Sequence, residues 1–247
     1  MRAFLIIIFS IFIVNSCSEK KNGNEIDCNS DKNKAQNDFK YKNYIWTDYE
    51  QLFPELLGNE EFITLLEKNK IKHKTVSLSC MDDGYAKFRN CYEDEMNHLL
   101  KNKFGKSFFD SLKIVGKKEF IFKNKDSIYF FSDCDMTSRH PNTTDYNRQF
   151  ELEDSDFFKN FKYPKSYIKR KNQKELYSFT TTSFVLMKDG STKNFKTESD
   201  FQIPSNKIFE TNFNKQVEKY VKSISWKPAT IENIPVNSEM DITITYQ

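Results

Sequence analysis

Three histidines, His73, His98 and His140, are the only imidazoles in the 247-residue chain, so any acid–base or metal chemistry that needs one must be built around them. Cys80, Cys91 and His98 offer thiolate and imidazole donors, but their spacing matches no paired zinc-ligand pattern, and a disulfide would consume both thiols. Cys134 lies six residues before His140, a separation at which a thiol and a base could meet across a loop, yet no nucleophile signature surrounds them. Pairing of Cys134 with another cysteine is the plainer expectation. Asp133, Asp135 and Asp145 could hold a cation, but the glycine and ligand spacing of a calcium loop are absent. With six glycines in all, no glycine-rich loop is available to cradle phosphate. The residue types therefore give no catalytic set, no metal site and no cofactor, and the expectation is a protein that is not an enzyme.

One cysteine carries a different chemistry. Met1-Arg2 is followed by an apolar run from Ala3 to Val14, interrupted only by Ser10, and then by Asn15-Ser16-Cys17 and the polar Ser18-Glu19-Lys20-Lys21. This is a secretory layout, and the run is too short for a permanent membrane span, which needs roughly 20 apolar residues. Val14-Asn15-Ser16-Cys17 resembles the bacterial lipobox, in which the cysteine sulfur receives diacylglycerol before cleavage on its N-terminal side. The expectation is removal of residues 1–16, lipidation of Cys17 and anchoring of the rest to a membrane. Ser18 is compatible with sorting to the outer membrane, and no acidic run follows the cysteine, so the expected place is the periplasmic face. Disulfides persist outside the cytoplasm. The remaining cysteines, Cys28, Cys80, Cys91 and Cys134, allow three pairings, and the Asp83-Gly84 turn between Cys80 and Cys91 favours that pair.

The elements that would position these residues divide the chain. Residues 17–43 are Lys, Asn, Asp, Glu and Ser with few large apolar side chains, a composition that reads as a lipidated flexible tether. Residues 44–156 read as a mixed α and β domain of unknown role. Leu52, Phe53, Leu56 and Leu57, then Phe62, Ile63, Leu65 and Leu66, predict two short helices about Gly58, with Pro54 in a first turn. Met96, Leu99, Leu100 and Phe104 predict another, ended by Gly105, and a further helix through Phe108, Phe109 and Leu112. Glu119 to Phe122 and Ser127 to Ser132, about Asn124-Lys125-Asp126, read as a hairpin. The net charge of +3, from 38 basic and 35 acidic residues, is taken as interspersed rather than gathered into a stripe, so no nucleic-acid partner is expected.

The C-terminal segment has the clearest pattern. Tyr177 to Met187 is β-branched and aromatic and leads into Asp189-Gly190, a strong hairpin signal, with Ser191 to Phe201 returning. Phe209, Phe213, Val217, Tyr220, Val221 and Ile224 recur at helical spacing, and Met240, Ile242, Ile244 and Tyr246 alternate with Asp241, Thr243 and Thr245. Pro228 and Pro235 forbid a regular helix between them. The predicted order is strand, hairpin, strand, helix, strand.

That order resembles the TonB C-terminal domain family over residues 161–247. The resemblance rests on Tyr163-Pro164 with Ile168 a turn later, Lys188-Asp189-Gly190-Ser191, the helix through Val217 and Val221, Ser225-Trp226-Lys227-Pro228-Ala229 and Asn233-Ile234-Pro235-Val236. It implies an α+β protein, with a mixed N-terminal domain before a small antiparallel sheet packed with one or two helices. TonB-family transducers also resemble one another in an uncleaved membrane helix and a Pro-rich spacer. This chain has neither, so the resemblance implies contact with a protein without energy transduction. In the family an extended receptor segment adds to the small sheet as a strand. The implied edge here is the last strand, with Met240, Ile242, Ile244 and Tyr246, and only Glu239 and Asp241 supply charge against unwanted pairing. The expected partners are the membrane, through Cys17, and an outer-membrane receptor or other envelope protein. The alternatives are an envelope enzyme or small-ligand-binding protein with its site near Cys134 to Asn142, and a structural spacer.

Overall fold

A computed structural model describes residues 28–51, 56–78, 90–143, 149–172 and 176–246. The expected signal peptide, Cys17, the helix start at Leu52 to Pro54, Cys80 with its Asp83-Gly84 turn, and Asp145 lie outside the described residues. The chain is α+β: two parallel strands among helices, then a curled five-stranded sheet. No helix among the described residues is long and apolar enough to cross a membrane.

The first part comprises α1 (Cys28–Lys40), β1 (Tyr44–Gln51), α2 (Asn59–Lys68), β2 (Ile71–Leu78), α3 (Cys91–Phe104) and α4 (Phe108–Lys123). β1 and β2 pair in parallel from Tyr44↔Ile71 to Gln51↔Leu78, with α2 as the crossover that parallel strands require. Their core gathers Trp46, Phe62, Leu66, Ile71, Met96, Leu100 and Phe109, and the rings of Trp46 and Phe109 stack at 3.6 Å. The Asn97 amide of α3 lies beside β1. Its Oδ1 accepts from the Thr47 N–H at 2.9 Å, and its Nδ2 donates to the Thr47 carbonyl at 2.7 Å. One side chain thus does at this edge what a neighbouring strand would do.

Four expectations fail here. The tether expected over residues 17–43 is a helix from Cys28 onward, and the described fold begins before residue 44. Average polarity misled, because a packed helix needs only one narrow stripe. In α1 that stripe is the fully buried Ala35 with Phe39, reinforced by a bond from the Tyr92 hydroxyl to Asp38 at 2.8 Å. The disulfide partner of Cys91 is Cys28, 63 residues away in sequence, so Cys91 is not available to Cys80. The hairpin expected about Asn124-Lys125-Asp126 is absent. Glu119 to Phe122 are the last turns of α4, continuing the helical period of Phe109 and Leu112 to the buried Ile121, and Asn124 ends the helix by donating to the Phe120 carbonyl. Leu56 and Leu57 are likewise not helical, whereas the helix through Phe62 and Leu66 and the Gly105 stop after Phe104 are as expected. Gly58 is required by proximity: a Cβ there would lie 2.7 Å from the Gly116 backbone of α4.

The second part holds β3 (Ile128–Tyr129), α5 (Gln149–Phe158), β4 (Ser178–Leu186), β5 (Thr192–Asp200), α6 (Glu210–Ser223), β6 (Ala229–Ile231) and β7 (Ile234–Tyr246). The strand order is β3-β7-β4-β5, with β6 paired to β7. The hairpin, helix and closing strand occur where the pattern placed them. Asp189 accepts from the Ser191 N–H at 2.9 Å and its hydroxyl at 2.6 Å, while Gly190 takes a positive φ of 84°. Trp226 closes α6 by donating its indole N–H to the Val221 carbonyl at 2.9 Å. One sheet face buries Phe184, Leu186, Ile242 and Ile244 against Phe213, Val217 and Val221 of α6.

Strand pairing and core packing cross the boundary expected between residues 156 and 161. β3, which precedes that point, pairs with β7, and α5, which runs past residue 156, packs on it. Ile121 of α4 and Tyr129 of β3 share a core with Ala229, Ile231 and Val236.

Candidate binding edges

β7 was the expected docking strand, and its four named side chains are interior. Met240, Ile242, Ile244 and Tyr246 are at most 6% exposed, under α6, and the Tyr246 hydroxyl donates to Thr180 Oγ1 at 2.9 Å. A partner could not read these side chains. They are needed for the core because alternation sends every second residue of β7 to the helix-covered face. The main chain of β7 is another matter: β4 pairs with it from Ser238 to Tyr246, but on its other side β6 and β3 reach only residues 234–238, so among the described residues no strand pairs with that edge over residues 239–246. At its far end Asp154 of α5 receives the Thr245 N–H, with the Thr245 hydroxyl at 3.5 Å. Burial raises the Asp154 pKa, and the two bonds from Thr245 only partly offset it.

β5 is different. Among the described residues it pairs with β4 alone, from Phe179↔Asp200 to Leu186↔Thr192. Lys193, Lys196, Glu198 and Asp200 are exposed, and Lys196 and Glu198 form an ion pair at 3.1 Å on the open face. On the inner face the Ser199 hydroxyl donates to Asn214 Oδ1 of α6 at 2.6 Å, and the Thr182 and Thr197 hydroxyls bond each other. The Thr197 carbonyl is met by Asn214 at 3.4 Å rather than by β4, so the main chain of Thr197 and, by alternation, of Ser199 lies on the outer edge. A register shift opposite Phe184, with Asn194 at a φ of 56°, bends the strand and ends the regular edge.

The groups with chemical potential are mostly engaged in structure. His73 Nε2 lies 3.0 Å from Asp48, whose other oxygen accepts from Lys113 at 2.6 Å. Burial alone would raise the Asp48 pKa, but the bonds from His73 and Lys113 and the Lys113 charge outweigh it and hold the carboxyl below its ordinary value. His98 bonds Asn102 at 2.9 Å on the surface of α3. His140 is 2% exposed, edge-on to Trp226, with Asp156 at 3.8 Å, and burial lowers its pKa against the pull of Asp156. Cys134 directs its Sγ at the Phe130 carbonyl, and burial, with Asp133 and Asp135 adding, pushes its thiol up to about 11. At that value the thiolate is scarce at neutral pH, so Cys134 is a poor nucleophile. Asp135 is occupied with the Glu232 N–H at 2.5 Å and Asp133 with that of Phe130 at 3.3 Å. Among the described residues, no three His, Cys, Asp or Glu side chains are grouped to hold a metal ion.

Two features went unread in the sequence. Asn206 repeats the Asn97 device, accepting from the Ile168 N–H at 3.0 Å and donating to its carbonyl at 2.8 Å. Asn237 accepts from the Lys188 N–H and donates to the Ser127 carbonyl, joining the loop before β3 to the hairpin. An asparagine on its own carries no signal for either role. The second feature was legible: residues 157–171 hold six lysines and arginines and no acid, which a running charge count would have found.

Comparison with protein-family models finds no match, and no curated protein matches the sequence.

Proposed function

We propose that the chain is an envelope lipoprotein, held by an acylated Cys17 on the periplasmic face of the outer membrane, that serves as a protein-interaction module through its TonB-like C-terminal sheet. The observation that carries this reading is the outer edge of β5, where Thr197 and Ser199 present main-chain groups beside exposed Lys196, Glu198 and Asp200. An extended segment of an outer-membrane receptor or other envelope protein would add as a strand there. Its main chain would supply affinity, and alternate side chains would be selected by the charges of β5. The short regular edge and the mixed charges favour a transient contact, because exposed edges without such features invite indiscriminate pairing.

The test is site-directed photo-cross-linking in intact cells, with a photoreactive residue at Lys196 or Glu198 and, for comparison, at Glu218 on α6. Discrete adducts to an envelope protein from the β5 positions alone are expected, and Thr197→Pro, which removes an outer-edge N–H, should abolish them. Identical adduct patterns from β5 and α6 would refute strand addition. Lipidation is checked separately: the mature protein should carry acyl mass at Cys17, and Cys17→Ser should leave the membrane fraction.

A further inference from the structure

The six cations of residues 157–171 are Lys159, Lys162, Lys165, Lys169, Arg170 and Lys171. Lys159 pairs with Asp156 at 2.8 Å, whereas Lys162, Lys165 and Lys169 are exposed and have no ion pair among the described residues. Lys169 lies over the Tyr163 ring at 4.4 Å, and the Arg170 guanidinium stacks on Tyr177 at 3.5 Å, so both charges are held on aromatic supports rather than loose. Beside them opens a cleft of about 580 Å³ at the end of the sheet, lined by Ile168, Arg170, Lys171, Leu176 and Ile203. The apolar groups here are in water: Leu176 is 72% exposed, Tyr177 46% and Ile168 45%. Gln202, at the same cleft, donates to Asp200 of β5 at 3.1 Å.

We infer that this basic and apolar surface is a contact site for an anionic lipid bilayer, with headgroup phosphates against Lys162, Lys165 and Lys169, and Ile168, Leu176 and Tyr177 entering the interfacial layer. The juxtaposition decides between lipid and an acidic protein segment. An acidic segment would neutralise the lysines but leave three large apolar side chains in water, whereas the bilayer interface accommodates both. The contact does not depend on strand addition at β5. It would orient the sheet relative to the surface, as a basic patch does when added to a lipid anchor.

A chain beginning at Ser18 tests this, because every described element lies within residues 28–246 and acylation is then removed from the comparison. It should co-sediment with phosphatidylcholine vesicles containing about one-third phosphatidylglycerol, not with pure phosphatidylcholine, and should be released by high salt. Lys165→Gln with Lys169→Gln should weaken binding roughly 30-fold, at about fivefold per lysine. Leu176→Asp should weaken it as well, and Lys193→Gln with Lys196→Gln on β5 should leave it unchanged. Unaltered thermal midpoints will show that the variants fold. Equal binding to neutral vesicles, equal loss from the β5 pair, or capture of a polyglutamate peptide with no vesicle binding would each overturn the inference.

Discussion

Breaking the Cys28–Cys91 bridge should leave α1 held by its packing alone and cost much of the protein's stability. In the chain-entropy account, closing a loop of 63 residues disfavours the unfolded state by about 4 kcal/mol, against somewhat under 3 kcal/mol for the short loop from Cys80 to Cys91. The larger figure is an upper bound, since α1 keeps its Ala35 and Phe39 packing after reduction. The experiment is urea unfolding in a Cys80→Ser background, with and without reductant, repeated after adding Cys28→Ser. The background protein should lose about 2 to 4 kcal/mol on reduction. The Cys28→Ser protein should begin at that lower stability and respond no further. Disulfide mapping of the wild type should recover Cys28 joined to Cys91. If Cys80→Ser alone reproduces the loss and abolishes the response to reductant, the bridge is Cys80–Cys91 and the placement of α1 is wrong.

Asn97→Ala leaves both main-chain groups of Thr47 buried without a partner and should cost about 2 to 4 kcal/mol by urea unfolding. Asp154→Asn should stabilise the protein near about pH 7. The carboxyl's pKa is raised on folding, so its contribution is fully favourable below the unfolded value and is lost as pH rises through the folded one. The gain over wild type should therefore shrink on acidification, and a gain that grows instead would reverse the assignment. Alkylation of Cys134 by iodoacetamide in the native protein should be slow at about pH 7 and accelerate toward its pKa of about 11, measured by intact mass at several pH values.

The C-terminal sheet was readable because its signals are local. Period-two alternation in Met240 to Tyr246, the Asp189-Gly190 turn and the helical stripe through Phe213, Val217 and Val221 each report on neighbours a few residues away, and the structure forms each of them. The α4 segment was misread for a related reason. Aromatic and β-branched residues from Glu119 to Phe122 suit a strand by propensity, but the stripe begun at Phe109 keeps them helical because tertiary burial outweighs a weak local preference. β1 and β2 gave no usable alternation: parallel strands are covered from several sides, and Thr47 is buried by an asparagine from a helix 50 residues away.

The sequence by itself determined the residue chemistry and the local periods: the lipobox-like cysteine, the scarcity of imidazole, the hairpin and amphipathic helix of the C-terminal part, and the cationic run before β4. Only the tertiary structure decided which cysteine meets Cys91, that β5 has a strand on one side only, and that Met240, Ile242, Ile244 and Tyr246 face inward beneath α6. Each of these is a choice among distant partners. An alternating strand carries the same pattern at the centre of a sheet or at its edge, and a cysteine the same thiol whichever partner it finds. What separates the possibilities is the packing of segments far apart in the chain, to which local spacing is blind.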